Sequence, residues 1–132
     1  MTLSELIQCK EELLRRLLPI SMQQLKIVRQ NNLSVLLHHL ATKQRLMNEF
    51  EAIEQQLAPF QAIPPEERKW NNETERLETN AAIERCATLL EEIIQNDSIS
   101  MDELTVQKTE TENQLRRVRQ GSQVLSAYTK FR

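Results

Sequence analysis

The chain has 132 residues, enough for one domain with a modest core, and it holds a single glycine, Gly121. Turns use glycine, so this scarcity excludes turn-rich mixed and all-β folds and favours few turns and long helices; aromatics at 4% against 27% charged residues agree. The formal net charge of −2 conceals a split: residues 66–112 carry five basic and thirteen acidic side chains, while residues 113–132 carry five basic and none acidic.

In chain order, Thr2-Leu3-Ser4-Glu5 has the spacing of a capping box and starts the first helix. Leu3, Leu6, Ile7, Leu13, Leu14, Leu17 and Leu18 keep to one side of it, and Met22, Leu25 and Val28 continue the line. Pro19 lacks an N–H and predicts a kink or short break. Asn31-Asn32 suits a turn and a new cap. Leu33, Leu36, Leu40, Met47, Phe50 and Leu57 then form a near-heptad seam, with Lys43 and Glu54 in two of its slots. Pro59 should end that helix, and residues 60–70 read as a proline-containing connection.

Pro65 followed by Glu66 and Glu67 predicts the start of a third helix, carrying Leu77, Ile83, Cys86, Leu90, Ile93 and Ile94. Asn96-Asp97-Ser98 predicts a break. Ser100-Met101-Asp102-Glu103 is a second capping box, opening a last helix over 100–132 with Leu104, Leu115, Val118 and Leu125 on its main line and Lys108 and Thr111 interrupting. The expected architecture is all-α: one elongated antiparallel bundle over 1–132, of about four long helices of roughly 25–30 residues, each ~40 Å, with coiled-coil-like packing.

Little in the sequence points to catalysis. His38 and His39 are adjacent, so on a helix they point about 100° apart, and no Cys or acid completes a metal site. Cys86 sits on an apolar line with no histidine at a local spacing, and Cys9 stands alone. Two distant cysteines make no disulfide framework, which suits a reducing cytoplasm. The paired acids Glu11-Glu12, Glu66-Glu67 and Glu91-Glu92 read as solvated faces. One glycine cannot build a phosphate-cradling loop. The expectation is therefore no enzyme, no cofactor and no metal. Trp70 either pins the proline connection against the bundle end or faces a ligand. No segment approaches the roughly 20 apolar residues of a membrane span, and the N-terminal stretch is charged and periodic, unlike a signal peptide.

The last helix carries more apolar surface than one docking face needs. Leu115, Val118 and Leu125 share one line, while Val124, Ala127, Tyr128 and Phe131 follow a second, displaced around the axis. The i, i+3, i+4, i+7 spacing of the second group is that of a helix anchoring in a groove, or of a face folded back as core. The basic residues Arg116, Arg117, Arg119, Lys130 and Arg132 complement a helix C-terminus; a nucleic-acid or anionic-membrane patch usually carries more charge, so no nucleic-acid partner is expected.

Two stretches carry a resemblance. SMQQLKIVRQNNLSVLLHHLATKQRLMNEFEAIEQQLAPF (Ser21 to Phe60) runs from a Gln/Arg-rich helix through a polar break into a Leu-rich helix with Lys43-Gln44, and RCATLLEEIIQNDSISMDELTVQKTETENQLRRV (Arg85 to Val118) ends in an Arg- and Gln-rich helix. This layout resembles the FlgN family of cytoplasmic flagellar export chaperones. The resemblance implies binding of the helical terminal segments of hook–filament junction proteins, and their delivery to the type III export gate. It maps the cargo surface onto Leu115, Val118, Val124, Leu125, Tyr128 and Phe131, with Tyr128 as the aromatic shown to the gate. The alternative from the residues alone is a homodimeric coiled-coil adaptor whose surplus stripe closes a subunit interface.

Overall fold

The computed structural model describes the backbone of residues 1–130 and side chains through Gln120. It contains three α-helices, α1 (Leu3–Arg29), α2 (Leu33–Gln61) and α3 (Glu73–Lys130), with one 3-10 turn at Pro65–Glu67 and no strand among the described residues. The described residues are all-helical in class, with three long helices where about four were expected.

Helix α1 starts as its sequence predicts. Thr2 accepts a hydrogen bond from the Glu5 N–H at 3.2 Å, and its hydroxyl donates to Glu5 Oε1. Pro19 does not break it. The proline is on the exposed side, and the flanking turns bury Leu13, Leu14 and Leu17 before it and Ser21, Gln24, Ile27 and Val28 after it. An internal proline costs about 3 kcal/mol, and each fully buried leucine returns about 1.5–3 kcal/mol. The expected continuation through Met22 and Leu25 is displaced: Met22 is 51% exposed, while Ser21, Gln24 and Ile27 take the buried positions.

The turn into α2 follows the sequence. Asn31 adopts a left-handed φ of 56°, a conformation asparagine tolerates, and Asn32 caps α2 by accepting from the Val35 N–H at 3.2 Å. Helix α2 passes through exposed Pro59 to Gln61, held by fully buried Leu57 and by Phe60 against the core. Pro65 yields only the 3-10 turn. The start of α3 is set instead by Asn72, whose Oδ1 accepts from the Glu75 N–H at 2.8 Å.

The largest departure is at Asn96-Asp97-Ser98, where α3 continues unbroken. The capping groups are engaged elsewhere. Asp97 Oδ1 lies 2.7 Å from Lys43 Nζ on α2, Asn96 donates to the Glu92 carbonyl one turn back, and Ser100 is fully buried. The second capping box therefore caps nothing.

Helix α1 is central and packs on both other helices. It runs antiparallel to α2, with Lys10 against Glu54 (2.8 Å) and Gln24 against Lys43 (2.9 Å). It runs parallel to α3, with Glu11 against Arg85 (2.6 Å) and Arg29 against Glu103 (3.0 Å). The same register brings Cys86 Sγ to the Ile7 carbonyl and Gln107 Nε2 to the Val28 carbonyl, both across 79 positions. That offset sets Leu14 level with Ile93 and Ser21 level with Ser100, all four buried and seven residues apart along each helix.

The main core joins Leu6, Ile7, Leu13, Leu14 and Leu17 of α1 to Leu46 and Leu57 of α2 and Ala82, Cys86 and Ile93 of α3. A second cluster, Ile27, Val28 and Leu36, is flanked by Leu40 and Leu104. Leu33, Leu77 and Ile94, expected on apolar lines, are exposed.

Candidate functional site

Helix α1 ends at Arg29, one residue past Val28, whose carbonyl meets Gln107, whereas α3 continues helical to Lys130. At 1.5 Å per residue α3 is about 87 Å long and α1 about 40 Å. The last side chain of α3 engaged with α1 is Gln107, which donates to the Val28 carbonyl at 2.6 Å. Every described side chain from Lys108 to Gln120 is exposed. The bundle's seam on α3 therefore runs off the end of its partner helix.

Along this projecting part the chemistry changes. Leu104 is half-buried against Ile27, Val28 and Leu36, and its line passes through Lys108 and Thr111 to Leu115 and Val118. Leu115 is 52% exposed and Val118 67% exposed. Thr105, Thr109 and Thr111 each donate to the carbonyl four residues back, at 3.0, 3.1 and 2.9 Å. Their hydroxyls are thus satisfied within the helix, which lowers the polarity of the surface beside the leucine and valine. Arg116, Arg117 and Arg119 are exposed, and no ion pair involves them among the described residues.

Of the six residues predicted for partner binding, Leu115 and Val118 are exposed one helical step apart on this line. The side chains of Val124, Leu125 and Tyr128, and Phe131 altogether, lie outside the described residues.

The remaining candidates from the sequence have structural surroundings. His39 Nε2 lies 2.7 Å from the Ile20 carbonyl and ties α2 to α1, while His38 is exposed. No cluster of three metal-ligating side chains occurs among the described residues. Burial pushes the Cys86 thiol pKa up, which opposes formation of a thiolate nucleophile. Glu11 is held below the usual carboxylate range by its hydrogen bond from Arg85, with Arg15 adding to the effect. No helix among the described residues is long and apolar enough to cross a membrane.

Sequence reasoning missed the buried polar layer of Ser21, Gln24, Lys43 and Ser100, into which Asp97 reaches. Its only signal was Lys43 in a seam slot.

The geometry defines a three-helix protein whose third helix outruns its partners. No protein-family model, curated protein or solved structure matches the chain.

Proposed function

We propose that this chain is a cytoplasmic export chaperone of the FlgN type. It holds amphipathic terminal helices of hook–filament junction proteins and passes them to the export gate. The observation that carries this reading is the seam of α3 continuing beyond the end of α1, with Leu115 and Val118 exposed on it. An amphipathic helix laid along that line would replace the missing partner helix and bury the same stripe. The layout of the two resembling stretches, Ser21 to Phe60 and Arg85 to Val118, supports the choice of cargo. In this reading the protein is not an enzyme and needs no cofactor.

The test is capture of a synthetic amphipathic terminal helix of a junction protein by the intact chain and by the Leu115→Ser, Val118→Ser variant. Capture by the former, with a loss of about tenfold or more in the latter at unchanged helicity, is expected. Equal capture by both would overturn the site.

A second reading, a homodimeric adaptor, draws on the charge split of α3. The exposed Arg116, Arg117 and Arg119 stand against exposed Glu84, Glu91 and Glu92 on the same helix, a pattern that favours antiparallel pairing of two copies. Light scattering separates the readings: a stable dimer supports the second and a monomer the first.

A further inference from the structure

At the end of the bundle opposite the projecting part of α3, the proline connection closes over a cavity of about 470 Å³. Its apolar wall comes from Leu3 at the start of α1, Phe60 at the end of α2, and Ile63 and Trp70 in the connection. Phe60 and Trp70 are two of only five aromatic residues in the chain. Both are half-buried against the main core, so the wall is anchored. The volume falls in the range of sites that enclose small molecules.

The polar side of the cavity carries two basic and two acidic side chains, and one of the basic ones has an unpaired donor. Arg68 and Lys69 line it, and neither joins an ion pair among the described residues. The Nε of Arg68 is buried with no hydrogen-bond partner. A buried donor left unpaired is unfavourable, and for a guanidinium the matching group is a carboxylate, which accepts two parallel N–H bonds. Glu67 and Glu75 also line the cavity; one oxygen of Glu75 accepts from Asn71 at 2.9 Å. Helices α1 and α3 are parallel, so their N-termini, with partial positive charge, sit at this same end.

We propose that this cavity is a binding site for an apolar carboxylate, with the hydrocarbon or aromatic body against Leu3, Phe60, Ile63 and Trp70 and the anionic head on Arg68. The site is separate from the face proposed for helix binding and does not depend on it. Two sources offer this chemistry: a free fatty acid, or the C-terminal carboxylate of a peptide ending in an apolar residue.

Trp70 is the only tryptophan, so its fluorescence reports on the cavity directly. The full chain is titrated with decanoate below its micellar concentration, with decanol, and with an acetylated Leu-Phe peptide as free acid and as amide. Saturable change with decanoate, about tenfold weaker with decanol, supports the fatty-acid source. Saturable change with the peptide acid and not its amide supports the peptide source. Arg68→Gln should erase the preference for the acid in either series. Arg68→Lys, which keeps the charge but not the fork, should weaken binding and serves if the glutamine variant loses helicity. No response to either acid, equal response to acid and neutral analogue, or an unchanged preference in both Arg68 variants would overturn the assignment.

Discussion

Lys43 Nζ stands 2.7 Å from Asp97 Oδ1 and 2.9 Å from Gln24 Oε1, so one ammonium group joins all three helices. The lysine is buried and Asp97 half-buried, within the polar layer that separates the two apolar clusters. Removing one partner leaves a buried charge poorly compensated, whereas removing both leaves little to compensate. Asp97→Ala should lower stability by about 1–3 kcal/mol, discounted toward the lower figure because Asp97 reaches solvent. Lys43→Met together with Asp97→Ala should recover part of that loss. Urea unfolding of the parent chain and the two variants measures both effects; a double variant no more stable than Asp97→Ala would contradict the coupling.

Ser21 and Ser100 lie at one level between α1 and α3, fully buried, with hydroxyls that lack hydrogen-bond partners. Ser21→Ala deletes an unsatisfied polar group and should leave stability unchanged or raised by up to about 1 kcal/mol. Ser100→Leu has no room and should cost about 1–3 kcal/mol. The urea midpoints of the two variants should move in opposite directions, or Ser21→Ala not at all.

The interhelix pair Glu11–Arg85 sets a pH dependence. The Glu11 carboxyl is held below its usual range by the Arg85 hydrogen bond first, so its folded pKa is depressed. The unfolded state then binds more protons over that interval, and the contribution is present above the ordinary glutamate range, near pH 4.3, and lost as pH falls through the folded value. Glu11→Gln should therefore flatten acid destabilisation below about pH 4.5 relative to the parent chain. An unchanged acid limb would remove the pair's role.

Cys86 is buried with its thiol pKa raised, whereas Cys9 is half-buried. Iodoacetamide should label Cys9 first, and Cys86 only at the rate of unfolding. Mass spectrometry of peptides from a labelling time course distinguishes them, and rapid labelling of Cys86 in the folded chain would contradict the packing against Ile7.

Much of this arrangement was legible in the residues. The α1 stripe, the Thr2 cap and the Asn31-Asn32 turn are local features, and local chemistry decided them. The unbroken α3 was not legible, because Asn96, Asp97 and Ser98 carry cap-type side chains and the partner that engages Asp97 lies 54 positions away. Pro19 and Pro59 leave their helices intact for a related reason: both occupy exposed positions, Pro19 between buried residues on either side and Pro59 between buried Leu57 and half-buried Phe60. For the candidate site, surplus apolar positions pointed to Leu115 and Val118. Their exposure follows from where α1 ends relative to α3, a matter of register between helices 79 positions apart.

In the proposed function, the seam of α3 beyond Gln107 is open in the isolated chain and covered by a partner helix in the complex. Amide hydrogen exchange over residues 108–120 decides this, measured in the chain alone and with an amphipathic terminal helix of a junction protein added. Fast exchange alone and slowed exchange with the helix bound is the predicted result. Core-like protection in the isolated monomer, or no change when the helix is added, would contradict it.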